Sequence, residues 1–389
     1  MKMLFVANTK RDPNQGASGC DIATMQALRS QGHSVDEIWG DDMPRRIRHH
    51  NLHQLFELPG NFADVVTSRC QNCDYDVIQV NQPHAYLAAR QHQRRRRNGV
   101  FINRSHGWEP AWSEAMASYS DPSSDQRSLW RRLASLPLAR LLHRHNCSVV
   151  RWADGIVVCS HDDLDFILAR NAASRERILA LAPGLGAGFL ADLPSASEGR
   201  WSRILYAGSF MPQKAPQIVA RVFVHLLRSR PDVTATWVCS ARDHDAARQL
   251  THGDFNGRLS FRDWMPREEL IRQYDRHGLL IFPSLFEGFA QTPLEAMSRG
   301  MCVLSSAIDG MRQTILDGVN GFLFDRGAAD AIADRAAELM KSPQQCERIS
   351  KAARHTACGF TWQQTAIEYV RFCERLIDFK TSTPSRQAS

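Results

Sequence analysis

Short apolar runs separated by polar, glycine-bearing stretches recur along this chain. Lys2 to Ala7 (K-M-L-F-V-A) reads as a buried strand, and the polar loop N-T-K-R-D-P-N-Q-G-A-S-G follows it. Ile22, Met25 and Leu28 then fall at helical steps, which predicts a helix from about Asp21 that Gly32 ends. Ser34 to Trp39 reads as a second strand, so the opening is a strand-loop-helix-strand unit. Apolar runs at Asp76–Asn81, Val100–Asn103 and Gly155–Cys159 repeat the theme. A polar break from Leu193 to Arg200 (L-P-S-A-S-E-G-R) is the best linker candidate. The pattern restarts at Arg203–Ala207, with further strands at Thr234–Cys239, Leu279–Phe282 and Met301–Ser305. Such alternation predicts an α/β fold of parallel sheets covered on both faces.

The chain has 389 residues, enough for two domains with sizeable cores. The pattern places them at residues 1–198 and 199–362, each Rossmann-like, with the ligand expected in a cleft between them. The last residues, 379–389 (including T-S-T-P-S-R-Q-A-S), read as a disordered tail. Lys and Arg number 48 against 41 Asp and Glu, a net charge of +7. That excess suits phosphorylated ligands or an anionic membrane surface and is too small to imply nucleic acid. No apolar run approaches the ~18 residues of a membrane-spanning helix. The start M-K-M-L-F-V-A-N turns polar too soon for a secretory signal, so the expectation is a cytoplasmic protein with its 10 cysteines reduced. Cys70 and Cys73 have C-x-x-C spacing without a second ligand pair, so they read as two free thiols.

The chemistry concentrates between Leu279 and Cys302: L-L-I-F-P-S-L-F-E-G-F-A-Q-T-P-L-E-A-M-S-R-G-M-C. A strand ends at Pro283, a loop runs to Gln291, and a helix follows. Thr292 stands where an N-cap belongs, with Pro293 at the first helical position and Glu295 completing a capping box. The exposed helix N-terminus offers N–H groups and partial positive charge to a diphosphate. Glu287 fits no structural slot in the loop, and its carboxylate can accept hydrogen bonds from sugar hydroxyls.

The segment E-G-F-A-Q-T-P-L-E-A-M-S-R-G resembles the paired-Glu motif of glycosyltransferase family 4, whose members are retaining enzymes of the GT-B fold. G-H-S-V, H-G, A-D-G-I-V-V-C-S, A-G-S-F-M-P-Q-K, W-M-P-R-E-E-L, D-G-V-N-G-F-L-F and F-T-W-Q-Q fall in family order around it. The resemblance implies an acceptor-binding first domain, a donor-binding second domain and a closing helix over 363–378 that returns to the first. It implies that Glu287 contacts the donor sugar and Glu295 the ribose, with Phe289, Ala290, Gln291 and Thr292 facing sugar and diphosphate. Lys214 matches the lysine that neutralises the leaving diphosphate, a role suited to a cation where charge develops. Ser209 and Met265 fall at further donor-binding positions. Ser209 stands where the family usually has Arg, Asp309 where it often has Gly, and Gln313 where it often has Glu. His106 matches a histidine at the reaction centre, and Gly16 and Gly19 match a glycine-rich turn near donor and acceptor.

The implied reaction moves a hexose from a UDP- or GDP-sugar to a glycan or lipid-linked acceptor, with retention and without a metal or other cofactor. Surface polysaccharide or glycolipid synthesis is the family's common setting. Arg94 to Arg97 and the stretch Leu129 to His145, interrupted by Pro137, suit an anionic membrane face and equally a solvated charged face. The alternatives are a GT-B nucleotide-sugar epimerase, a catalytically silent nucleotide-sugar-binding or assembly protein, and a nucleic-acid binder. The last lacks basic residues interleaved with aromatics.

Overall fold

The computed structural model describes residues 1–95, 97, 99–119, 129–170, 173–195, 197, 199–253 and 255–382. The chain divides into two units. Met1–Gly184 and the segment from Trp362 onward form the first, and Leu185–Thr361 the second. Among the described residues each unit is built on a six-stranded parallel sheet.

The first sheet has the order β2-β1-β3-β4-β5-β6. Its strands are β1 (Lys2–Val6), β2 (Ser34–Ile38), β3 (Val77–Asn81), β4 (Val100–Arg104), β5 (Gly155–Val158) and β6 (Ile178–Ala180). β3 and β4 are buried at every position, as strands covered on both faces must be. The helix Gly16–Ser30 covers one face through Ile22, Met25 and Leu28. The same core contains Trp362, Tyr369, Phe372 and Leu376 from the helix Trp362–Ser382, with the Tyr369 ring 5.9 Å from that of Phe5. Gly155 makes this docking close, since a Cβ there would lie 2.4 Å from Leu376 Cδ1 and 3.0 Å from the Phe372 ring.

The second sheet runs β12-β11-β10-β7-β8-β9. It comprises β7 (Arg203–Ala207), β8 (Thr234–Val238), β9 (Leu259–Arg262), β10 (Leu279–Phe282), β11 (Cys302–Ser306) and β12 (Phe322–Phe324). Leu185 and Phe189 pack into this unit's core, so the first unit ends at Gly184 and the polar stretch 193–200 lies inside the second. Its composition marks a surface turn, not a boundary. The guanidinium of Arg200 is buried there and donates to the carbonyls of His277, Tyr274 and Arg299, closing two helix C-termini.

Four local expectations need correction. The first helix starts at Gly16, not Asp21, because the small residues Ser18, Gly19 and Cys20 bury its first turns against the unit. Pro137 does not interrupt the helix Leu129–Trp152, which runs through it. Residues 379–382, expected in a tail, continue the last helix, and 383–389 lie outside the described residues. His145, read as part of a basic outer face, is buried and stacks 4.5 Å from Tyr86. Arg96 of the arginine run lies outside the described residues.

Candidate functional site

In the second unit β7 and β10 are neighbours whose onward connections lead to opposite halves of the sheet. Their C-terminal loops therefore diverge at a switch point, where an open α/β sheet leaves room for a ligand. One loop, after β7, carries Ser209 and Lys214; the other, after β10, carries Glu287 and leads to the helix Gln291–Ser298. Lys214 Nζ lies 2.5 Å from Glu287 Oε1, with the two side chains 21% and 12% exposed. The amide of Leu285 donates to the Gln213 carbonyl at 2.7 Å, stitching the loops together beneath this pair. Lys214 also stands 5.6 Å over the Phe282 ring. Ala215, next in sequence, is buried in the left-handed region at φ 51°, a strained position for a residue with a Cβ.

The capping box expected at Thr292 and Glu295 is not formed. The helix begins at Gln291 with Ala290 as N-cap, and no side chain caps it. Gln291 and Thr292 sit in its first turn, half-buried, with the first-turn amides uncapped. Glu295 falls two residues past Pro293, which holds the position a capping box needs. It is buried and accepts a hydrogen bond from the Tyr274 hydroxyl at 3.0 Å. Burial raises its pKa, while Arg267 and the Tyr274 bond partly offset that. Phe289 is half-buried with its ring 6.2 Å from Phe360, Ala290 is buried, and Met265 packs half-buried against the core of the unit. Ser209 is half-exposed and its carbonyl accepts from the Tyr206 hydroxyl at 3.3 Å. Burial and the Glu287 charge push the Tyr206 hydroxyl's pKa upward.

In the first unit the order β2-β1-β3 puts a second switch point between β1 and β3. Here Gly16 and Gly19 are not loop residues: both lie in the helix after β1, Gly16 as its first residue. Asp21, on the same helix, is the hub of a buried polar group. Its Oδ1 and Oδ2 lie 3.1 and 3.2 Å from His106 Nε2. Asn81 at the end of β3 donates to Oδ2 at 2.6 Å, and Arg104 at the end of β4 stands 3.5 Å from Oδ1. Burial works against a proton on His106, but the Asp21 charge and hydrogen bond more than reverse this and raise its pKa to about 9. Asp21 is pushed up by burial and pulled down more strongly by His106 and Arg104, so it stays ionised.

Asp21, Asn81, Arg104 and Tyr274 were not singled out from the sequence. Asp21 carried a signal: it precedes Met25 and Leu28 by four and seven positions, so the helix phase puts a charge on the buried face. Arg104 likewise follows the apolar run of β4.

Residues 195–356 match the family model for glycosyl transferases group 1. Over that stretch the chain is similar to the group 1 glycosyl transferases. Among its curated relatives, the D-inositol 3-phosphate glycosyltransferase of Kribbella flavida is 26% identical over 247 residues, 59% of this chain and 58% of that protein. The corresponding protein of Frankia alni is 25% identical over 247 residues, with 59% and 60% covered. The match thus spans about three fifths of the length of these relatives. Among solved structures, sucrose-phosphate synthase from Thermosynechococcus elongatus aligns with a TM-score of 0.78 at 16% identity, over 97% of this chain and 100% of that one. HepE of Anabaena, in complex with UDP, aligns at 0.67 and 19% identity, over 96% and 100%. Both are GT-B neighbours, and this chain shares their fold. Among the described residues no helix is long and apolar enough to cross a membrane.

Proposed function

We propose that the protein is a retaining hexosyltransferase that uses a nucleotide diphosphate sugar, UDP- or GDP-linked, and a glycan or lipid-linked acceptor. The observation that carries this reading is the Lys214–Glu287 pair at the switch point of the second unit. A cation and a carboxylate held side by side serve the two ends of such a donor. Lys214 takes the diphosphate, whose negative charge grows as the sugar departs, and Glu287 accepts hydrogen bonds from sugar hydroxyls. The uncapped N-terminus of the helix Gln291–Ser298 supplies further donors beside them. Glu295 takes the ribose in this reading, and Ser209, Met265, Phe289, Ala290, Gln291 and Thr292 complete the donor side. The first unit, with His106, takes the acceptor. The reading needs no metal, because Lys214 provides the counter-charge. It sets the reaction in the cytoplasm, in surface polysaccharide or glycolipid assembly at the inner membrane face. UDP bound to HepE supports a nucleotide donor.

The test is a thermal-shift screen against UDP-, GDP- and ADP-sugars with and without chelator, followed by assay of nucleotide release with candidate acceptors. A donor-specific shift that survives chelator, with release that depends on acceptor, supports the proposal. Epimerised free sugar without acceptor would point to an epimerase instead. Binding without turnover would point to a silent binder, with Ser209 in place of the usual Arg as the leading cause.

A further inference from the structure

We infer that Asp21 is a positioning residue that holds His106 at the C-terminal edge of the first sheet as a fixed imidazolium, so that His106 acts on a bound oxygen as a cationic hydrogen-bonding group and not as a base. The inference rests on the transferase reading for its functional part and on the geometry for the rest. Both oxygens of one carboxylate face Nε2, at 3.1 and 3.2 Å, so that nitrogen carries its proton toward Asp21. Asp21 cannot swing away: its side chain is 3% exposed, Asn81 holds Oδ2, and Arg104 approaches Oδ1. The groups facing the pair come from four elements. They are Cys20 on Asp21's own helix, Arg104 from β4, Cys159 just after β5, and Tyr369 from the helix Trp362–Ser382. Arg104 opposes a proton on His106 and a hydrogen bond with Cys159 favours it, with Asp21 the larger influence than either.

A raised pKa near 9 keeps the ring charged through the neutral range. Asp21, Arg104 and His106 then sum to one positive charge, held where His106 is 12% exposed. A ring in that state has no lone pair with which to take a proton from an acceptor hydroxyl. Burial and the nearby Arg104 would otherwise leave the histidine neutral. The charge is therefore a product of Asp21's placement on the buried face of its helix.

The experiment follows imidazole N–H correlations by NMR in the full chain, with His106→Gln used to assign the signal. Alongside it, kcat and kcat/KM are profiled from pH 5.5 to 9.5 for the native protein, Asp21→Asn and Asp21→Glu. In the native protein His106 should stay protonated past pH 8, and turnover should be flat from pH 6 to 8. Asp21→Asn should bring the His106 titration to the ordinary range or below, with kcat falling about tenfold or more at pH 8 and recovering toward pH 6. Asp21→Glu should restore the flat profile. A native His106 that titrates below pH 7 would overturn the inference, even if Asp21→Asn fails to fold. An Asp21→Asn protein that folds and keeps the native profile would overturn it too. The titration does not depend on turnover, so absence of transfer with every donor would sink the transferase reading and leave the charge of His106 to be decided by NMR.

Discussion

Removing the Tyr274 hydroxyl tests what Glu295 does in the fold. Tyr274 is fully buried, and its O–H donates to Glu295 Oε2 at 3.0 Å, where only 8% of Glu295 is exposed. A buried hydrogen bond to an ionised group is worth about 1.5–3 kcal/mol, and its loss leaves a desolvated carboxylate short of a donor. For a unit of this size each kcal/mol lowers Tm by roughly 2–4 °C, so Tyr274→Phe should lower it by roughly 3–12 °C. The double-mutant cycle with Glu295→Met separates this from a capping role. If the two side chains are partners, the double variant should recover about 1 kcal/mol or more relative to the sum of the singles. If Glu295 instead served the helix terminus without Tyr274, the two effects would add. Urea denaturation of the four proteins, followed by intrinsic tryptophan fluorescence, gives the free energies. Additivity within about 0.5 kcal/mol, or a Tyr274→Phe protein as stable as the native one, would refute the assignment.

Three further outcomes are expected. Lys214→Ala should lower turnover about 10²–10³-fold with little loss of stability, since its partner Glu287 keeps access to water; unchanged turnover would reduce the pair to an incidental ion contact. Gly155→Ala should destabilise the first unit by about 1–3 kcal/mol, because the new Cβ meets Leu376 Cδ1 and the Phe372 ring, and a urea midpoint equal to the native one would mean that the last helix does not dock there. Acid should weaken the protein before its carboxylates titrate: burial depresses His84 and His277 to about 4, so the unfolded chain binds their protons first. Their contribution is complete above pH 6.5 and is lost as pH falls toward 4, on the order of 3 kcal/mol for each, and a flat urea midpoint over that range would contradict the burial of both rings.

The central strands were legible because burial on both faces demands unbroken apolar runs. Leu279–Phe282 and Arg203–Ala207 lie where the pattern put them, and Val100–Arg104 extends one residue past its expected end. Three strands were missed: β6, β9 and β12. Each is a sheet edge, short and only partly buried, so its sequence lacks the apolar run that marks the interior strands. The glycines of the first loop misled for a different reason. Gly16 and Gly19 suggest a turn, but small residues also suit a helix start that packs closely, and only the packing distinguishes the two.

The chain's own pattern determined the α/β class, the two-unit organisation and the loops that bear Lys214 and Glu287, since these follow from periodicity and from turn and helix-boundary residues that act on near neighbours. Tertiary structure decided what those residues face. It brought Lys214 and Glu287 together across 73 positions, and His106 and Asp21 across 85. It also carried the last helix back into the first unit's core. A helix phase shows that Asp21 is buried; it cannot show which imidazole lies opposite. Charge states behave the same way, because the proton on His106 answers to Coulomb forces and desolvation over a few ångströms of space, whatever the separation along the chain.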